Sequence, residues 1–157
     1  MGPATASDTQ TALLCPSSQP DVPGSALFAV VSEKPGEPRV SYVQRAVPLN
    51  AELLALAGPL DPTRVMRVAA PCQTDGCPHF SEQSCTLATK IVQALPEAVD
   101  TLAPCPIRKT CRWFVQEGTK ACMRCPDIAT HVDNPSELQR ALVDPKKRAL
   151  RHLPVLP

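Results

Sequence analysis

Hydrophobic and polar positions along this chain alternate in short runs, and the first clear one is Ala26 to Val31, an unbroken apolar stretch of strand length. Glu33-Lys34-Pro35-Gly36-Glu37-Pro38 follows, all turn chemistry, and Arg39 to Arg45 then carries Val40, Tyr42 and Val43 in strand-like composition. The pair predicts a hairpin. Asn50 is placed to cap a short helix over Ala51 to Ala57 that Gly58 closes, and Asp61-Pro62 opens another helical turn. Val65 to Ala69 fits strand or helix equally well and delivers the chain to Cys72.

Beyond residue 70 the period changes. Leu87, Ile91, Ala94 and Leu95 fall on one face of a helix over Thr86 to Leu95, with Ser84 as its cap and Cys85 in its first turn. Pro96 ends that helix or begins another through Val99 and Leu102. Thr110 is placed to cap a short helix from Cys111 to Gln116 that Gly118 stops, and Thr119 repeats the arrangement ahead of Cys122. Asn134-Pro135-Ser136-Glu137 predicts a further helix start, with Asn134 as cap, running to about Val143 before Asp144-Pro145. The predicted class is α+β: a small N-terminal β-hairpin part, then a Cys-rich, mainly helical, metal-binding part. The expected segments are a mobile arm over 1–24, a small α/β part over 25–70, the Cys-rich part over 71–143 and a basic tail over 144–157.

Composition then narrows the chemistry. Five aromatic residues (three Phe, one Trp, one Tyr) and 19 prolines among 157 residues describe a fold that leans on something besides apolar burial. Cross-links or a metal are the ordinary remedy. A net charge of +1 gives no field that would draw the protein to nucleic acid or to a membrane surface. No stretch approaches the roughly 20 apolar residues of a membrane span. The first residues lack a basic segment followed by an apolar run, so no secretory signal is visible, and the expected setting is the cytoplasm. Thiols stay reduced there, which favours metal binding or catalysis over disulfides.

Eight cysteines are therefore the main chemical statement of the chain, seven of them between Cys72 and Cys125. One block reads Cys105-x5-Cys111-x10-Cys122-x2-Cys125. Its CxxC lets two sulfurs of one turn reach one metal or cluster, and Cys105 and Cys111 complete four ligands. Cys-Pro junctions at Cys105 and Cys125 match one part of a ferredoxin-type run, whose remaining spacing is absent. Arg108, Lys109, Arg112, Lys120 and Arg124 stand there against the single acid Glu117, an excess that would stabilise an anionic thiolate site. Trp113 and Phe114 are placed to shield the sulfurs from water. The other block, Cys72-x4-Cys77-x7-Cys85, supplies three sulfurs, with His79 or Cys15 as the fourth ligand.

Glycine-rich phosphate loops, HExxH, G-x-S-x-G and telling carboxylate pairs are all missing from the sequence. A nucleophilic cysteine partnered by His79 or His131 is not singled out by any neighbour.

Cys72-Gln-Thr-Asp-Gly-Cys77-Pro-His-Phe80, Pro104-Cys105-Pro-Ile-Arg108, Cys111-Arg-Trp-Phe114, Gln116-Glu-Gly118 and Ala121-Cys-Met-Arg-Cys-Pro126, with Cys15-Pro16 and the region from Phe28 to Pro48, resemble a family of small bacterial Cys-rich proteins. Members are sometimes labelled nitrogen-fixation proteins. The resemblance implies a bacterial cytosolic protein and gives Cys15 more weight than its position alone.

The functional expectation is an iron–sulfur protein with a [4Fe–4S] cluster on Cys105, Cys111, Cys122 and Cys125. It would serve electron transfer, redox sensing or a partner enzyme as an accessory. Full ligation by cysteine favours a carrier or binding role over catalysis. The alternative is a structural zinc site holding an interaction domain together. The expected partner is a protein, a redox enzyme or an assembly partner, with neither membrane nor nucleic acid involved.

Overall fold

The computed structural model describes residues 12–36 and 38–146. Its class is α+β. Four antiparallel strands form the main sheet: β1 (Leu14–Cys15), β2 (Ala26–Val31), β3 (Val40–Pro48) and β4 (Met66–Pro71), in the spatial order β1-β4-β2-β3. The predicted hairpin is β2–β3, with Val31 opposite Val40. Position 28 interrupts the register on both sides of β2, a bulge that separates Leu27 from Ala29 in each pairing. Phe28 is there 1% exposed and faces the main core.

Two short helices connect β3 to β4. In α1 (Ala51–Ala55) Asn50 Oδ1 accepts from the Leu53 amide at 2.8 Å, as its cap chemistry predicts, although the regular helix stops two residues before Ala57. In α2 (Pro62–Val65) Asp61 is the cap and Pro62 opens the first turn. Of the ambiguous stretch Val65 to Ala69, Val65 closes α2 and the rest belongs to β4, whose first five residues are all buried, as in a strand covered on both faces.

The C-terminal half is mainly helical. A two-residue hairpin, β5 (Phe80–Ser81) and β6 (Ser84–Cys85), leads into α3 (Thr86–Ala94). Glu82 and Gln83 both have positive φ, the backbone of a type I′ turn without the usual glycine. The helix starts at Thr86 as expected, but that turn moves its cap: Ser84 is in the strand, and Cys85 occupies the cap position assigned above to Ser84. Likewise Cys111 rather than Thr110 is the cap position of α4 (Arg112–Glu117). Gly118 then turns with φ 73° and starts α5 (Thr119–Arg124), placing Thr119 within the helix instead of at its cap. Residues 96–104 form no helix, so Pro96 ends α3 and starts nothing. In α6 (Glu137–Val143) the cap is Ser136, two residues beyond Asn134, because Ser136 and Gln139 close a reciprocal capping box.

One core crosses residue 70. Phe28, Ala29, Val40 and Ala69 of the sheet pack in the same buried cluster as Ala88, Ile91, Trp113, Ala121, Leu138 and Leu142. The arm expected over 1–24 is, from residue 12 on, part of this fold: Leu14 and Cys15 pair with Pro71 and Ala70. Lys147, Arg148, Arg151 and His152 of the basic tail lie outside the described residues. Among the described residues no helix is long and apolar enough to cross a membrane.

Candidate metal centres

All eight cysteines are free thiols, and they line two cavities, four to each. The first holds Cys105, Cys111, Cys122 and Cys125 around a small space of about 20 Å³. Cys111 comes from the cap of α4, Cys122 from α5, Cys125 from the end of α5 and Cys105 from the loop before them. Phe28, Ile107, Trp113, Phe114 and Ala121 complete largely apolar walls, with Tyr42, Pro16 and Arg108.

The second cavity, about 180 Å³, is lined by Cys15, Cys72, Cys77 and Cys85. Cys15 ends β1, and the Cys72 amide donates to Leu13 O at 2.8 Å, which fixes the start of one loop beside the end of that strand. Cys77 follows a single 3-10 turn over Thr74–Gly76, and Cys85 is the cap position of α3. His79 is absent from the cavity walls. Its carbonyl accepts from both the amide and the hydroxyl of Thr86, and its Nδ1 is buried without a hydrogen-bond partner. Of the two candidates for fourth ligand, the fold brings Cys15 to the other three sulfurs.

Burial dominates the electrostatics of the thiols. It pushes Cys111 up to about 12 and Cys15 up to about 11, and it raises Cys85, Cys105 and Cys122 as well. Backbone amides partly offset this: Trp113 and Phe114 at Cys111, Leu87 and Ala88 at Cys85, Ile107 at Cys105. The two helix starts therefore offer their cysteines the same pair of amides, without a cap hydrogen bond of full geometry. Each thiol would have to release its proton to bind a metal. Among the described residues no three His, Cys, Asp or Glu side chains already form a cage around a single point.

Cationic and polar groups reach the sulfurs from residues that sequence reading left unremarked. Arg67, on β4 and 0% exposed, donates from Nη2 to Cys125 Sγ at 3.5 Å and to Pro16 O at 3.0 Å. Its Nη1 donates to Cys125 O at 2.8 Å and Ile128 O at 3.3 Å, and its guanidinium lies 5.3 Å from the Phe28 ring centre. Tyr42 lines the same cavity as Cys125, and burial together with that thiol raises its pKa. Gln116 clamps Cys85 from α4: the Cys85 amide donates to Gln116 Oε1 at 2.7 Å, and Gln116 Nε2 donates back to Cys85 O at 2.9 Å. A fully buried arginine in a central strand reads in sequence as one more strand residue, so no pattern pointed to Arg67.

The cations expected around the Cys105–Cys125 block divide. Arg108 lines the same cavity as Cys122 and partly offsets the burial that raises that thiol, and Arg112 lines the other cavity, 5.3 Å from the Phe80 ring centre. Arg124 instead donates to Leu95 O at 2.6 Å and Lys120 O at 2.8 Å, tying α5 to the end of α3. Lys109 and Lys120 are exposed. Buried Nε atoms of Arg67, Arg108 and Arg112, and Nε1 of Trp113, have no hydrogen-bond partner. Four unpaired N–H donors beside eight thiols are costly in a metal-free interior, and an anionic group among the sulfurs would compensate them. The donor set is thus all sulfur, with cations and free donors behind it, and it fits a thiolate-bound metal or cluster.

His131 contacts acids, not thiols: it bonds Asp133 Oδ1 at 2.9 Å and lies 3.7 Å from Asp61 Oδ2. No family model, curated protein or solved structure matches this chain.

Proposed function

We propose that this chain is a cytoplasmic iron–sulfur protein that binds a [4Fe–4S] cluster through Cys105, Cys111, Cys122 and Cys125 and passes electrons to a protein partner. The observation that carries the reading is the gathering of these four thiols around one small apolar-walled cavity, with Arg67 bonded to the Cys125 sulfur and Arg108 on the same wall as Cys122. When bound, the cluster would supply one-electron chemistry. The chain contributes the surroundings that tune it. The Arg67 N–H donor and the Arg108 charge beside the cavity stabilise negative charge on the sulfurs and so raise the reduction potential. Trp113, Phe28 and Phe114 keep water from the site. Cys122 and Arg108 also border a surface cleft of about 440 Å³ with Arg39, Tyr42 and Asp127, through which a partner would approach.

All-cysteine ligation leaves no open position for a substrate, so the role is carrier or accessory, not catalyst. A structural zinc ion is the second reading, favoured by the small size of the cavity: four thiolates hold Zn²⁺ at about 2.3 Å each, in little space. Colour and metal analysis of protein purified without oxygen separate the two. Brown protein whose broad visible absorption bleaches on reduction supports the cluster. Colourless protein with stoichiometric zinc rejects it.

A further inference from the structure

We infer that Cys15, Cys72, Cys77 and Cys85 hold a second iron–sulfur centre, and that the two centres form one electron-transfer pair across a shared wall. The inference rests on the reading of the first site as a cluster. Three features of the fold carry it. First, consecutive residues face the two cavities: Cys15 lines one and Pro16 the other. Second, Leu14 forms a parallel bridge with Cys111, so Cα atoms of Cys15 and Cys111 stand within about 9 Å, one strand spacing plus one residue step. Third, Trp113, 2% exposed, lines both cavities.

A wall one side chain thick separates two groups of four thiols. Structural zinc sites have no need of such proximity; electron carriers do. The fourth ligand of the second centre is Cys15, since His79 stands outside the cavity. The transfer is an outer-sphere step. A soluble one-electron carrier reduces one centre, ferric to ferrous. That centre is reoxidised as the other takes the electron, and a second one-electron protein removes it. No bond forms or breaks and no proton moves.

The test uses the full chain purified without oxygen, alongside Cys15→Ser, Cys72→Ser and His79→Ala. Circular dichroism selects variants that keep the fold. Iron and acid-labile sulfide are counted, and dithionite-reduced samples are examined by electron paramagnetic resonance. The expected native content is about eight irons and eight sulfides per chain, falling to about four of each in either Cys→Ser variant and unchanged in His79→Ala. The native spectrum should be broadened and split by spin coupling, and the Cys→Ser variants should give one uncoupled signal. About four irons in the native chain, unaffected by Cys15→Ser, would overturn the second centre while leaving the first intact. Eight irons with two simply additive signals would overturn the pairing. No iron at all would remove the first reading itself, a distinct result.

Discussion

Arg67 shows how one residue holds a site together. Its guanidinium is removed from water and bonded to Pro16 O, Cys125 O, Ile128 O and Cys125 Sγ, all at one point between the arm that carries Cys15 and the turn that carries Cys125. Arg67→Met preserves much of the volume but leaves these buried acceptors unpaired, each costing about 1–3 kcal/mol. The expected loss is at least about 2 kcal/mol in chemical denaturation of the loaded protein, together with a lower reduction potential. Gln116 acts in the same way on Cys85. Gln116→Ala should cost about 1–2 kcal/mol and leave Gln116→Glu only partly competent, because Glu keeps the acceptor for the Cys85 amide and loses the donor to its carbonyl. Neither residue was legible in the sequence. Their roles depend on partners 31 to 61 positions away, and composition around each gives no sign of them. Cysteine spacing, by contrast, is local, and the sulfurs of Cys105, Cys111, Cys122 and Cys125 could be grouped from it alone.

Elements obey their end signals, with shifts of one or two residues where a turn intervenes. Asn50 and Asp61 cap as read, whereas the I′ turn at Glu82-Gln83 moved the cap of α3 from Ser84 to Cys85, and the Ser136–Gln139 box outcompeted Asn134. Those shifts matter chemically, since they put Cys85 and Cys111 themselves at helix caps. Asp61 carries a pH prediction. Its carboxylate accepts from the Thr63 amide at 2.9 Å and the Thr63 hydroxyl at 2.6 Å, and these bonds hold its pKa below the ordinary 3.8. A lowered carboxyl pKa stabilises the fold above the unfolded value and loses that contribution as pH falls through the folded one. The urea midpoint of the native chain should therefore exceed that of Asp61→Ala at pH 7, by an amount equivalent to about 1 kcal/mol, and the gap should narrow as pH falls below 3.8. Lys90 ties α3 to α6 through Nζ bonds to Asp144 O at 2.8 Å and Ala141 O at 3.5 Å. Lys90→Met should lower stability by about 1–3 kcal/mol and increase amide exchange first in α6.

At the scale of the molecule, the sheet and the helices are joined by two sulfur-lined cavities and by a core with few large side chains. Sequence reading reached the α+β class, the hairpin and most helices, because those follow from local pattern. It missed that residues 12–24 belong to the fold, because the Leu14–Pro71 and Cys15–Ala70 pairings span more than fifty residues and leave no local trace. It also drew a boundary near residue 70 where the core is continuous. The sharpest check is the iron and acid-labile sulfide content of anaerobically purified native chain, measured beside Cys111→Ser. Brown protein with iron and sulfide in equal amounts, diminished in Cys111→Ser, is the predicted result. Colourless native protein, whether it carries zinc, no metal at all or cysteines bonded to one another, would contradict the account.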